Sequence, residues 1–532
     1  MTSDRTNHDG ASGQTARLYR VPPASVTALL VAGGLLGTVG DALLRAPGPP
    51  GLNLSVWVAS VAVAVLALHR HAALALGRER AAWLVIGVAF AAGFAWRDAP
   101  PLKLLALGCA TLSFALAAHR LAAASVRRAG VLRYAGALAL GALHAWTAAS
   151  LALVDATRST SRAETGGAPV WRRASAVARG LVIATPLVVV FGALFMSADA
   201  VFAELVTNVF RFDFEQIASH ILLFSILAWL STGYLRGFLT GTELPLLWRD
   251  GARLALTPKR PTLGITEVAT ALAALDLLFL SFVIVQFRYL FGGDALVQVT
   301  SDLTYAEYAR RGFFELVFAS VLVVPVLLAA DWLLERRTQR DAFVFRGLAG
   351  MQIALVLAIA ASAVQRLRLY HASYGLTESR FYAMVLLIWI GAMLLWLAAT
   401  VLRGRRDSFA FGALTSGLAT VGLLFVINPD AIVARANVAR MSSADTPVRF
   451  DVAYATSLSA DAVPVLIGAL SALPPDVQCP LARHMLRRWP PDRERTIRNW
   501  NWSAARASDA VREDEARLRS MVGPDQKCAA RP

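Results

Sequence analysis

The stretch Arg366-Leu-Arg-Leu-Tyr-His-Ala-Ser-Tyr-Gly-Leu-Thr-Glu-Ser-Arg380 holds three arginines, two tyrosines, a histidine and a glutamate. Arginine presents a planar fork that fits a carboxylate or phosphate, and tyrosine adds a rigid body with a hydrogen-bonding tip. A glutamate set among arginines can hold them apart or act as a base. The apolar runs on either side, Ala349–Val364 and Phe381–Leu402, read as membrane-spanning helices, so the stretch reads as a short polar link at a membrane surface. Three further polar clusters are expected on the same face: Ser197–Phe202, Gln286–Gly293 together with Thr304–Glu315, and Asn428-Pro429-Asp430 running on to Arg435, Asn437 and Arg440. The candidate ligand-binding residues are therefore Arg288, Tyr289, Tyr305, Glu307, Tyr308, Arg310, Arg311, Arg366, Arg368, Tyr370, Tyr374, Glu378, Arg380, Asn428 and Asp430. Tyr305 and Tyr308 with Arg310 and Arg311 have helical spacing on the run into a span, and Tyr370 and Tyr374 are one turn apart. The plainer reading of the same residues is an interfacial aromatic belt with loop-end arginines.

Asp276 falls near the middle of the apolar run Ile265–Phe287. An ionisable group at that depth is costly and marks either a proton or cation relay or a hydrogen bond to a neighbouring helix's Ser or Thr. His69-x-His71 stands beside arginines and reads as a solvated charge cluster before it reads as a ligand pair. Cys109 lies in an apolar run as a small core residue. Cys479 and Cys528 both lie in the polar tail, where they form a disulfide if the tail is extracytoplasmic and remain thiols otherwise. No Cys or His pair has metal spacing, and there is neither a phosphate-binding glycine loop nor a nucleophile elbow. No cofactor or metal is expected. Asn501-Trp-Ser503 matches a glycosylation sequon at chance level.

These side chains need a scaffold, and the composition says which. Of 532 residues, 56% are hydrophobic and 17% charged, with a mean hydropathy of +0.53. A soluble domain carries about 25% charge, so this is an integral membrane protein. The formal charge of +16 comes mostly from arginine in short loops between apolar runs. That placement fits orientation in a bilayer and gives no basic face for nucleic acid. Apolar runs long enough to span about 30 Å of hydrocarbon begin at Ala24, Leu54, Ala81, Leu102, Leu132, Gly180, Ile217, Ile265, Phe313, Ala349, Phe381 and Phe409. The fold class is all-α: a polytopic transmembrane bundle of about 11–13 spans with a small helical C-terminal extramembrane domain.

Four regions follow: a disordered head over 1–22, an N-terminal transmembrane region over 23–178, a core transmembrane region over 179–430, and a helical tail over 431–532. In the second half, basic residues collect in the loops 155–179, 236–260, 336–346 and 403–406, which predicts a cytoplasmic location for those loops and an extracytoplasmic tail. In the first half, Arg5, Arg17, Arg20, Arg70, Arg78, Arg80, Arg120, Arg127, Arg128 and Arg133 put the amino terminus inside. Five spans would then place 155–179 outside; Leu132–Val154, as a re-entrant or interfacial segment, is the suspected cause of the conflict, and a missed span is the alternative. Gly33 and Gly37 have the spacing of close helix packing. Val201, Leu205, Val209 and Phe212 suggest a surface amphipathic helix. Val463, Ile467, Leu470 and Leu473 mark the tail's core.

The motifs SADAVF, QFRYLFGG, TYAEYARRGFFEL, YHASYGLTESRFY, NPDAIVARANVAR, YATSLSADAVPVLIGAL and RNWNWSAARA, in this order, resemble the bacterial multi-pass membrane family catalogued as a domain of unknown function, number forty-one seventy-three, close kin of number forty-one fifty-three. The resemblance covers roughly Arg179 to Arg506. It implies a bacterial inner-membrane protein without a settled activity. It also implies that Gln286, Arg288, Tyr289, Tyr305, Tyr308, Arg310, Tyr374, Gly375, Thr377, Glu378, Asn428, Pro429 and Asp430 are motif positions. The leading expectation is binding or transport of an anionic or amphipathic cell-envelope ligand at the outer face. The rivals are an envelope enzyme acting on a lipid-linked substrate, with Glu307, Glu378 or Asp430 as base, and a scaffold or sensor whose tail meets another envelope protein.

Overall fold

The computed structural model describes residues 23–45, 48–118, most of 134–152, scattered positions between 184 and 204, and 214–240, 262–291, 313–443 except 336, 450–490, 497–522 and 528. The bundle is built from α1 (Pro23–Leu44), α2 (Leu52–His71), α3 (Arg78–Trp96), α4 (Pro100–Ala118), α5 (Phe214–Thr240), α6 (Ile265–Phe291), α7 (Phe313–Leu333), α8 (Gln339–Tyr374), α9 (Glu378–Thr400) and α10 (Arg406–Ile427). Among the described residues these ten helices are long and apolar enough to cross a membrane. An eleventh span is made if Tyr134–Leu143 and Ala145–Ala152, bent by 42°, act as one. The twelfth expected run, Gly180–Met196, lies largely outside the described residues, as does most of the proposed amphipathic helix after Ser197.

The tail continues as α11 (Pro429–Ser443), α12 (Val452–Ser457), α13 (Val463–Ala469), α14 (Pro475–Arg488), α15 (Trp502–Glu513) and α16 (Glu515–Val522). Its core joins Val463, Ile467, Leu470 and Leu473 to Leu481, Met485, Val511 and Leu518. Cys479 and Cys528 are joined as a disulfide.

Hydrogen bonds sort the helix ends into two groups. At one end the tail docks. Leu52 N donates to Trp500 O at 2.9 Å and Asn53 N to Arg498 O at 2.8 Å, while Arg45 Nη2 donates to Ser219 Oγ at 2.8 Å. At the far end Arg80 donates to the carbonyls of Ala117 and Phe238 at 2.8 and 2.7 Å, neutralising the last turns of α4 and α5. Leu263 and Glu335 are linked there too. The far end therefore carries Arg70, Arg78 and Arg80 from the first half and Arg337, Arg340, Arg403, Arg405 and Arg406 from the second. The two halves agree as far as Ala118, and the topological conflict read from the charges is confined to residues 119–213.

Two sequence expectations change. The region 366–380 is not a loop, because α8 runs on through Arg366 and Arg368 to Tyr374. The run Gln365-Arg-Leu-Arg-Leu keeps high helix propensity after the apolar stretch ends, and the first breaker is Gly375, at φ +81°. At 36 residues, α8 is roughly 54 Å long and overshoots the hydrocarbon at the tail end. His69 is not solvated: it is 2% exposed, its Nδ1 meets Val65 O at 3.1 Å, and its ring stands edge-on to Phe238. The Asn501 amide, in the chance-level sequon match, is turned inward, its Nδ2 donating to Phe94 O and Arg97 O, both at 2.9 Å.

The glycine spacing in α1 does match a close crossing. A Cβ on Gly33 would come within 1.9 Å of Thr232 Oγ1, and one on Gly37 within 2.7 Å of Ala228 Cβ, both on α5.

Candidate functional site

The turn between α8 and α9 contains only Gly375, Leu376 and Thr377. Gly375 ends α8 in a left-handed conformation that favours glycine, and its N–H closes on His371 O at 2.9 Å. Asn437 of α11 clamps the turn, accepting from Leu376 N and donating to Leu376 O, each at 2.8 Å. Arg380 folds back from the first turn of α9 to donate to Gly375 O. Arg440 lies one turn beyond Asn437, and its Nη1 is 2.9 Å from where a Cβ on Gly375 would be.

These groups border a cavity of about 240 Å³, closed on its other sides by Tyr374, Phe450, Asp451, Tyr454 and the apolar side chains of Met441, Leu458 and Leu466. The opening thus combines two guanidinium groups, an amide and two phenols with an apolar floor. That set suits a small anionic group attached to something greasy.

Behind the cavity lies a buried acidic junction. Asn428 ends α10 at φ +58°, a conformation asparagine tolerates, and its Oδ1 caps Ala431 N at 3.3 Å. Pro429 then starts α11, which drives Asp430 into the interior at 0% exposure. Asp430 Oδ2 accepts from Ser459 N at 3.0 Å and from Ser459 Oγ. Its other oxygen, Glu378 Oε1 and the Tyr382 hydroxyl are buried without a hydrogen bond. Glu378 faces Asp430, and two carboxyl groups bond to each other only when one of them carries a proton. Glu378 N donates to Tyr454 Oη at 2.7 Å, which joins the acidic junction to the cavity wall. Burial, and after it the neighbouring Glu378 and Asp430 charges, push the Tyr454 phenol up to about 12 despite the hydrogen bond from Glu378 N.

Next to it, Asp461 fastens the tail to the bundle. Its Oδ1 accepts from Arg97 Nη1 at 3.1 Å and from Ser503 Oγ, and its Oδ2 accepts from Asp98 N at 2.7 Å and Ala99 N at 3.2 Å. Asp461 is 5% exposed, so the pair with Arg97 is nearly dry.

Of the candidate residues, the fold brings Tyr374 and Arg380 to the cavity wall and Glu378 and Asp430 to the acidic junction behind it. Asn428 is adjacent but serves as a helix cap. Arg366 turns away to the amide oxygen of Gln286 on α6, so it braces two helices, and Arg368 is exposed. Arg288 and Tyr289 sit on the last turns of α6 and Tyr370 on α8. Tyr305, Glu307, Tyr308, Arg310 and Arg311 lie outside the described residues. Sequence reading missed Tyr382, Tyr454, Ser459, Asp461, Ser503 and Arg97. A signal was available: Ser-Ala-Asp-Ala-Val occurs twice, at 197–201 and 459–463. In the first copy Asp199 Oδ1 accepts from Val201 N at 2.8 Å, as in a local turn cap, while the second copy carries the latch.

The family whose sequence profile matches the chain is a domain of unknown function, DUF4153, over residues 84–469. This is the kin named above, and its match begins earlier than the motif resemblance, inside α3. No curated protein and no solved structure matches the chain.

Proposed function

The chain belongs to the DUF4153 family, and from that premise we propose a multi-pass membrane protein that binds an anionic or amphipathic ligand in the cleft between the α8–α9 turn, α11 and the tail. The observation that carries this reading is the cavity of about 240 Å³ lined by Arg380, Arg440, Asn437, Tyr374 and Tyr454 at the tail end of α8. Its volume falls below that of sites for drug-sized molecules, roughly 300–1,000 Å³. It fits a phosphate or carboxylate head group whose apolar remainder extends along the neighbouring helices. The ligand class is a lipid head group or a cell-envelope precursor, and the membrane is the bacterial inner membrane. The tail is extracytoplasmic in this reading, supported by the arginines at the far end and by the Cys479–Cys528 disulfide.

The test is a titration of the full-length protein in neutral detergent with short-chain phosphatidylglycerol, phosphatidylcholine and inorganic phosphate. Phosphatidylglycerol is expected to bind, and Arg380→Gln and Arg440→Gln to weaken it about tenfold each, the equivalent of about 1.4 kcal/mol. Binding of free phosphate alone would indicate an anion site without a lipid component. Unchanged affinity in both variants would sink the cleft as the site.

A second reading, an envelope enzyme, is favoured by the Glu378–Asp430 contact beside the cavity, where a carboxyl proton could be passed to a bound group. Glu378→Gln that abolishes turnover of a lipid-linked donor while preserving binding would support it.

A further inference from the structure

Asp276 lies outside the cleft and its function, ten residues along α6 from Gln286 towards the far end. The sequence offered a plain explanation for it, a hydrogen bond to a serine or threonine on another helix. Among the described residues there is none: Asp276 is 8% exposed and both carboxylate oxygens are buried without a partner. The one other side chain in the described part of the bundle with both its polar atoms buried and unpartnered is Gln352 of α8, 1% exposed.

The register of the two helices brings them to one level. α6 and α8 run parallel and share a seam, with Val268, Leu272, Phe279 and Val283 on α6 and Phe345, Ala349, Val356, Ile359 and Ala363 on α8. Ser362 donates to Gln286 across this seam, an offset of 76 residues. The same offset carries Asp276 to Gln352. Each interrupts its own apolar stripe at the i+3 or i+4 step that keeps it on the buried face. A carboxylate and an amide, each without a bond, thus occupy matched positions in an otherwise apolar seam. Leaving such groups unsatisfied in hydrocarbon costs several kcal/mol in order of magnitude.

We propose that Asp276 and Gln352 form a binding site for a small monovalent cation, a proton or an alkali ion, within the membrane span. The oxygen atoms suit a hard cation, and a bound ion neutralises the carboxylate. With a proton instead, the acid O–H donates to Gln352 Oε1 and Gln352 Nε2 donates to the remaining carboxyl oxygen, so every group is paired. The charged or titratable acid, base and imidazole groups on the packed helices are Glu267 and Arg288 on α6, Arg340, Asp341, Arg346, Arg366, Arg368 and His371 on α8, Glu315 and Asp331 on α7, and, at the tail end, Glu378 and Arg380 on α9. On α6 and α8 these stand at least six residues from Asp276 and Gln352, and on α7 they stand near the two ends, so the site's own ion sets its charge.

The experiment is labelling of the full-length protein in detergent with a hydrophobic carbodiimide, which attacks protonated buried carboxyl groups, mapped by mass spectrometry with Asp276→Asn as control. Suppression of Asp276 labelling by sodium or potassium, but not by choline, at constant pH supports the alkali-ion form. Labelling that falls as pH rises and ignores sodium and potassium supports the proton form. In either case Gln352→Leu is expected to move the midpoint by about one pH unit or about tenfold in salt, with the elution profile unchanged. Absence of Asp276 labelling at every pH, labelling indifferent to both pH and salt, or a midpoint unmoved in Gln352→Leu would each overturn the proposal.

Discussion

Replacing Asp461 by alanine is expected to undock the tail while leaving the bundle folded. Besides Ser459 Oγ two residues before it, the carboxylate takes four donors from two other parts of the chain: Arg97 Nη1, Asp98 N and Ala99 N at the α3–α4 turn, and Ser503 Oγ at the start of α15. Arg97 and Asp461 have side-chain exposures of 12% and 1%. Removing one member of a buried ion pair typically costs about 3–5 kcal/mol, because the remaining charge stays desolvated. Arg97 has some relief, since it also donates to Phe425 O at 2.7 Å and stacks on Trp96. A loss of about 3 kcal/mol, at the low end of that range, is therefore the expectation. Hydrogen exchange measured by mass spectrometry reads this directly. If the tail opens as a unit, amides of α13, α15 and α16 should exchange about a hundredfold faster, at about 1.4 kcal/mol per factor of ten. Peptides from α3 and α4 away from the turn should be unchanged. Asp509→Ala is the control, because its pair with Arg512 is 45–51% exposed and contributes about 0.5 kcal/mol or less. Exchange in the tail less than about fivefold faster in Asp461→Ala than in the control, a difference under about 1 kcal/mol, would refute the view of Asp461 as the latch.

Three further outcomes are expected. Gly375→Ala forces a side chain into a left-handed conformation and brings its Cβ within 2.8 Å of Asn437 Oδ1, so it should lower tail stability by about 1–2 kcal/mol and weaken phosphatidylglycerol binding. His484 is held below its ordinary range by burial first and then by Arg488 and Arg487; its contribution to stability is present above the unfolded value of about 6.5 and is lost as pH falls below it. Tail unfolding followed between pH 7.5 and 5 should therefore show a loss that His484→Gln abolishes. Gly37→Leu should separate α1 from α5, seen as a lower thermal midpoint of the solubilised protein, whereas Gly34→Leu, where a Cβ meets nothing within 4 Å, should be tolerated.

The spans were legible because a bilayer demands a long apolar helix, and composition states that demand openly. Their ends were less so. α8 outruns its apolar stretch because helix propensity, not hydrophobicity, decides where a helix stops, and only Gly375 stops it. Of the groups at the cleft and its acidic junction, Tyr374, Glu378, Arg380 and Asp430 were singled out from residue type alone. Asp461, Ser503 and Arg97 were not: motif and repeat mark Asp461 and Ser503, but the role of each comes from partners hundreds of residues away. Arg366 shows the converse: a cation in a polar stretch reads as a ligand group, and its bond to Gln286 on another helix is not visible in the sequence.

The Asn501 side chain completes a joint whose other half is made very early. Phe94 O and Arg97 O receive its amide across 407 and 404 residues of sequence. At about 5–20 residues per second of synthesis, the α3–α4 turn waits on the order of 20–80 seconds for the group that seals it. During that interval its carbonyls can be satisfied only by water at the membrane surface. A chain interrupted anywhere before residue 501 thus carries its helices into the bilayer with this turn still unsealed, which makes docking of the tail the final step of assembly and a natural point at which a quality-control protease could tell finished molecules from truncated ones.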